Sequence, residues 1–373
     1  MQAATRGKRI TTLRHLLGIN QTELASVSGI SQSQISLMEK GERSVTDAAV
    51  TVLSSATRMP MSYFDMEPAD PRFAPTFRKL ASSSAASRDA AIARFGEAER
   101  ISSALGDALD FAVPSLPLAE DDLSGDDIEY FADATRRALR LEAGDPVRNL
   151  TRAMERQGIA TVPLVEDGDP SNLMSGHDGI SRPNPESQRP VIGYIPGQPG
   201  DRDRFTKAHE LGHLVLHSRR PWVLDKIKER EAHRFAGALL FPDVAAKESI
   251  QDELSLNGYL ALKAQWGLSI AALISRGYSL GNLSEARRKS LMVQMSYKGW
   301  RKSEPVHVGN EKPLLLRQAL VAKYGRSPYM RAANDLGMRP DFLREWIPGI
   351  EQEGDESAVE PLDVSSNVRR LFG

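Results

Sequence analysis

Apolar residues recur three and four positions apart in short bursts from Ile10 to about Phe64, with polar turns between them. That spacing predicts small amphipathic helices joined by tight turns. Residues 89–112 keep a helical spacing among many alanines, and Ile128–Leu141 and Val147–Arg156 continue it. The period then changes. Ile159–Val165 and Arg189–Ile195 are short, β-branched and bounded by Pro or Gly, which predicts two strands. The polar stretch between them, with Gly176, Gly179 and Pro183, predicts a loop with a weak third strand. Arg204–His217 and Lys226–Leu240 return to helical spacing, and after Pro242 the chain is again mainly helical, ending in an acidic, loose segment at 351–366. No internal repeat is visible. The expected fold class is α+β, mainly α with a small β-sheet.

Breaks in this pattern divide the chain. Pro68, Pro71 and Pro75, then Ser82–Ser84 and Ser87, mark a linker, and two prolines with an acidic cluster at 114–126 mark a second boundary. The expected parts are a five-helix domain at 1–67, a linker and connecting helix at 68–125, a second domain at 126–245, and a helical region at 246–373 for sensing or dimerisation. With 373 residues the chain can hold two or three separate cores.

Apolar residues make up 40% and charged residues 26%, which suits a globular chain in water. No apolar run is long enough to span a bilayer, and the stretch Ile10–Ile19 is broken by Arg14 and His15, so neither membrane contact nor a signal peptide is expected. Cysteine is absent, which excludes disulfides, thiolate metal ligands and cysteine nucleophiles and fits a cytoplasmic location. A transition-metal site must therefore come from His, Asp and Glu, and there are only seven histidines to supply it. The net charge of −1 conceals an uneven distribution. Residues 1–43 carry six Lys or Arg against three Glu, whereas 107–145 carry eleven acidic side chains against three arginines. A basic head on a neutral chain suits a nucleic-acid partner.

The basic head holds a specific pattern, QTELASVSGISQSQISLMEKGER, at residues 21–43. Gln21–Ser26 predicts one helix, Gly29 a turn, and Ser31 the N-cap of a second helix. Leu24, Ala25, Ile30, Ile35 and Leu37–Met38 are expected in the core between them. Gln32, Ser33 and Ser36 would then face outward, where amides and hydroxyls reach base edges, and Gln21, Lys40 and Arg43 would reach phosphates. Over about residues 8–65 the segment resembles the Cro/cI-type helix-turn-helix family. The resemblance implies a DNA partner and, because such domains read DNA in pairs, a homodimer.

His209-Glu210-Leu211-Gly212-His213 is an HExxH motif. On a helix, residues four apart share a face, so both imidazoles can hold one zinc ion (Zn2+), and Glu210 beside it can take a proton from water. His217 continues the spacing but lies about 12 Å from His209 along a straight helix. Leu214-Val215-Leu216 offers no glycine to end the helix before His217, so His217 is expected behind the ligands or at the helix end. The next helix should supply the third ligand. Glu229 lies nearest the buried stripe of Ala232, Phe235, Ala236, Leu239 and Leu240 and is the first choice, with Glu231 the runner-up. His233 could orient the ligands or bind the metal itself.

Phe205–His217, followed by Glu229-x-x-Ala-His-x-Phe-Ala236 and Leu239-Leu-Phe-Pro242, resembles the ImmA/IrrE family of metallopeptidases. The similarity covers about 128–245 and extends more loosely to about 325. It implies a zincin-like domain in which HExxH and a downstream Glu hold zinc, and an activity directed at a Cro/cI-type repressor. Two positions depart from the family pattern: His233 stands where the family has Asn or Asp, and Phe241 stands where it has Met. The expected function is a DNA-binding regulator fused to a zinc endopeptidase that cleaves a protein partner such as a repressor or toxin. The strand at Arg189–Ile195 is expected to offer an edge for the substrate peptide. The competing expectation is a non-catalytic regulator or antitoxin whose peptidase-like domain senses a ligand or grips a partner.

Overall fold

The computed structural model describes residues 2–68, 73–77, 85–164 and 179–349. Helices α1 (Gln2–Leu17), α2 (Gln21–Ser28), α3 (Gln32–Glu39) and α4 (Asp47–Thr57) lead to a 3-10 turn (Met61–Asp65), strand β1 (Thr76–Phe77) and α5 (Ala85–Ala108). Next come α6 (Gly125–Ala138), α7 (Leu150–Arg156), β2 (Ala160–Pro163), β3 (Gly179–Ser181) and β4 (Val191–Tyr194). Two long helices follow, α8 (Gly200–His217) and α9 (Asp225–Leu240). The remainder is helical: α10 (Asp243–Ser249), α11 (Gly258–Trp266), α12 (Ile270–Ser279), α13 (Glu285–Tyr297), α14 (Leu315–Tyr324), α15 (Pro328–Asp335) and α16 (Pro340–Trp346). The mainly helical α+β reading holds. No helix among the described residues is long and apolar enough to cross a membrane. The acidic segment expected at 351–366 lies outside the described residues.

The chain forms two compact units, and the first is discontinuous: it takes 1–70, 84–113 and 314 onward, while 71–83 and 114–313 make the second. The boundaries therefore differ from those expected. In the first unit, four α-helices and the 3-10 turn stand where five helices were expected. The helix read as a connector, α5, buries Ala90, Ala91, Phe95, Ala98, Ile101 and Leu105 as part of this unit's core. Its Glu97 accepts from both terminal nitrogens of Arg9 and, at 2.8 Å, from Nε of Arg100. Arg9 also donates from Nε to the Tyr63 carbonyl at 3.0 Å, with its guanidinium 3.7 Å above the Tyr63 ring. Arg9 and Glu97 are almost fully buried.

The last helices return to this unit. Arg100 donates to the Leu336 carbonyl at 2.7 Å, and Ser62 to the Asn334 carbonyl at 2.6 Å. Helices α15 and α16 also echo α2 and α3. Gly337, with φ of 57°, takes the place of Gly29, with φ of 72°. Buried Ala332, Leu343 and Trp346 stand at the spacings held by Leu24, Ile35 and Met38. The likeness lies in burial and backbone conformation and not in residue identity, so the sequence shows no repeat here.

In the second unit a four-stranded sheet runs in the order β1-β3-β4-β2. Strand β4 pairs parallel with β2 and antiparallel with β3, so it is an interior strand and offers no free edge. The expected substrate edge at Arg189–Ile195 is thus corrected: β3 lies between β4 and the short strand β1, which pairs with it antiparallel. Helices α8 and α9 pack on each other in one continuous core with residues from α6, α7 and α10 to α13. The region after 245 therefore divides: α10 to α13 complete this core, and α14 to α16 belong to the first unit.

Replacing Glu97 with Ala would leave the Arg9 charge buried without its partner, a loss of about 3–5 kcal/mol. Chemical denaturation of the full chain is expected to show it as a lower midpoint for the first unit; an unchanged midpoint would contradict the assigned role of the pair.

Candidate functional site

Helix α9 crosses α8 at Gly212. A Cβ there would lie 2.9 Å from a Phe235 ring carbon and 3.2 Å from the Ala232 Cα, so any larger residue would push the helices apart. The close crossing brings three side chains together. His209 and His213, one turn apart on α8, approach through their Nε2 atoms at 3.1 Å. From α9, Glu229 places Oε1 3.3 Å from Nε2 of His213 and Oε2 3.4 Å from Nε2 of His209. The three ligand atoms all lie within 4.8 Å of one another.

Protonation states fit a cation at this point. Burial pulls the His213 imidazole below its ordinary pKa, against the attraction of Glu229, which favours the neutral form that ligates metals. Burial opposes ionisation of Glu229, but the imidazoles of His209 and His213 outweigh it and hold the carboxyl well below the usual range. The Glu229 Oε2 atom is buried, with the His209 Nε2 at 3.4 Å as its neighbour. Two imidazoles and a carboxylate at this spacing are a donor set that could hold a divalent ion.

A buried relay fixes which nitrogen of His213 faces the cluster. Arg220 donates to Glu231 at 2.8 Å, and burial notwithstanding, His217 and Arg220 keep the Glu231 carboxyl below its ordinary pKa. Ionised Glu231 can only accept, so Nε2 of His217, 3.2 Å away, is the donor. His217 is pulled toward its neutral form, chiefly by burial, which leaves its Nδ1 as an acceptor. The Nδ1 of His213, 2.9 Å from it, must then carry the proton. That tautomer would free the His213 Nε2 lone pair for a cation shared with His209 and Glu229. His217 and Glu231 thus support the cluster from behind, and Glu231 is more buried than Glu229.

Glu210 faces the sheet. Its Oε2 accepts from Oγ of Ser181 on β3 at 2.6 Å. Burial raises its pKa to about 8; hydrogen bonds from Ser181 and Thr76 oppose that rise and nearby Glu229 adds to it. Ser181, Thr76 and Arg220 were not singled out in the sequence. Ser181 and Thr76 lie in polar or Pro-rich stretches that carry no motif, and only the strand pairing gives them a role.

His233 goes elsewhere. It is exposed, lies tilted against Phe205 with ring centroids 4.9 Å apart, and lines a cavity of about 420 Å³ with Arg230, Arg234 and Arg276. Phe241 is fully buried, 4.4 Å from the Trp266 ring, so that departure from the family pattern is a matter of packing. His177, the other imidazole weighed as an oxyanion donor beside His217, lies outside the described residues.

In the first unit, Asn20 and Glu23 form a reciprocal cap on α2, and Ser31 caps α3. Leu24, Ile35 and Met38 are buried as expected, whereas Leu37 is exposed. Gln32 and Ser33 are exposed and Ser36 is half-buried. Gln32 donates to Gln21 at 2.7 Å, and Gln21 donates to Glu39 at 2.7 Å, so the two glutamines brace each other at the outer face of the pair. Lys40 and Arg43 are exposed beside them.

Changing Glu231 to Gln weakens the acceptor that holds His217 and through it His213. Zinc affinity, measured by competition with a chelator, is expected to fall about 10–100-fold, while His213→Ala should abolish binding. Equal affinity in Glu231→Gln and wild type would remove the relay from the account of the site.

Two family models match the chain. Residues 10–64 match a helix-turn-helix model, and residues 166–276 match the IrrE N-terminal-like domain of the peptidase M78 family. No curated protein matches. The second match spans β3, β4, α8 and α9, and so contains His209, Glu210, His213 and Glu229. The chain therefore carries a helix-turn-helix DNA-binding domain at its N-terminal end and, after it, a metallopeptidase-like domain of the IrrE N-terminal-like kind.

Proposed function

We propose that the protein is a DNA-binding regulator whose second unit is a zinc-dependent endopeptidase acting on a specific protein partner, such as a repressor or toxin, in the cytoplasm. The observation that carries this reading is the convergence of His209, His213 and Glu229 within 4.8 Å, with Glu210 as the immediate neighbour of His209. These three residues would hold the ion. Zinc held there would act as a Lewis acid, lowering the pKa of water and polarising a peptide carbonyl.

The chain's own residues do the proton work. Glu210, oriented by the Ser181 hydroxyl, takes the proton from the attacking water and returns it to the leaving amine. A carboxyl held at this place by the Ser181 hydroxyl, next to His209 in the chain, is positioned for both steps. A simple binding or sensing domain would have no need of a carboxyl in this position. Coupling to DNA would place cleavage beside a promoter, where a homodimer presenting two copies of α3 would read paired half-sites.

The Glu210→Gln variant separates the two readings. Zinc content is expected to stay at about one per chain, while cleavage and the cellular effect are expected to vanish, with k lowered by about 100-fold or more for loss of a positioned base. A cellular effect that persists in zinc-loaded Glu210→Gln would sink the peptidase and favour a sensing regulator or antitoxin.

DNA contacts make a separate prediction. Gln32→Ala should cost about 1–3 kcal/mol at one operator position and relax sequence preference there, whereas Arg43→Ala should weaken binding evenly across sequences and flatten its salt dependence. Titrations of labelled operator and random DNA at several salt concentrations would distinguish the two effects.

A further inference from the structure

Strand β3 has one side committed to β4, with Ile180 opposite Gly193 and Ser181 opposite Ile192. Its other side faces outward from the sheet, next to Glu210, and an extended peptide could add there by backbone pairing. That side is already taken. Thr76 pairs with Ser181 and Phe77 with Ile180, antiparallel, in a strand only two residues long.

Side chains strengthen the attachment at the catalytic end. The Thr76 hydroxyl donates to the Ser181 carbonyl at 3.0 Å and lies 3.0 Å from the Ser181 hydroxyl, which itself donates to Glu210. The Phe73 carbonyl accepts from Arg182, the residue that follows β3. Residues 73–77 come from the stretch between the 3-10 turn and α5, remote in sequence from β3. Pro75 cannot donate to a ladder, so the pairing stops one residue before Thr76.

We propose that residues 73–77 are a built-in occupant of the peptide-binding edge, competing with extended peptide segments of a protein substrate for β3. The inference rests on the peptidase reading of the centre. Its physical basis is the short ladder: two paired residues hold too weakly to be permanent, while tethering makes them locally abundant. At an effective concentration on the order of 1 mM, a segment with an intrinsic dissociation constant of about 0.1 mM fills its edge roughly nine-tenths of the time. A free peptide then binds about tenfold more weakly than it would to an open edge.

The test uses the full-length zinc-loaded protein and, as probe, a fluorescent peptide with the sequence of residues 71–79. One variant has 73–77 replaced by an equal length of Gly and Ser. It is expected to bind the peptide about tenfold more tightly than wild type by anisotropy. A second carries Phe77→Cys with Ile180→Cys, in a chain that otherwise has no cysteine. Oxidation should lock the segment and abolish peptide binding, and reductant should restore it to the level of the same variant before oxidation. Wild-type affinity in the Gly/Ser variant, or a lock that leaves affinity unchanged, would overturn the proposal; if the Gly/Ser variant does not fold, the lock decides. A pair that refuses to crosslink would count equally against the register. Because the readout is binding and not cleavage, a peptidase reading that fails with Glu210→Gln leaves this result independent, and a failure here leaves the metal centre untouched.

Discussion

Where α9 lies against α8, the missing side chain of Gly212 lets the two backbones approach to the distance at which a glutamate on one reaches two histidines on the other. Everything at the centre follows from that approach. Glu229 and Glu231, two positions apart on α9, point to different targets: one meets the imidazole nitrogens, the other the back of the relay through His217. A wider crossing would break both contacts together, because a helix moves as a body. The ligand set and its tautomeric support therefore stand or fall with one steric fact.

Buried charge stabilises the rest of α8 in the same manner, by pairing and not by exposure. Arg204 meets Glu311, whose carboxylate also accepts from the backbone amides of Leu150 and Thr151. Lys207 meets Asp203, and Lys263 meets Asp201 and Glu304. Each such pair contributes little net stability compared with apolar packing, but each is expensive to break, so they fix position more than they add strength. The segment 304–311 is thereby tied to the helix that carries both histidines.

The pairing of His209 with His213 was legible because helical periodicity is a local property: residues four apart must share a face whatever the rest of the chain does. That Glu229 faces His209 and His213 was also legible, but the sequence did not show that Glu231 would meet His217. The cap at Ser31 and the turn at Gly29 were readable for the same local reason. What escaped was non-local. Strand β1 exists only because β3 offers it an edge, and two residues next to Pro75 carry no pattern of their own. Helix α5 looked like a connector because alanine spacing does not say which core will accept it. His233 sits four residues past Glu229, close enough in phase to invite a ligand role, yet its ring pairs with Phe205 instead.

The discontinuity of the first unit has a consequence for how the molecule comes into being. During synthesis the whole second unit, residues 71–83 and 114–313, leaves the ribosome before α14, α15 and α16 exist. Until then Arg100 lacks the Leu336 carbonyl and Ser62 lacks the Asn334 carbonyl, so the DNA-reading helices wait in a partly finished core. Birth order thus completes the peptidase-like unit first, and a prematurely ended chain would carry His209, His213 and Glu229 in a whole unit but an incomplete reader.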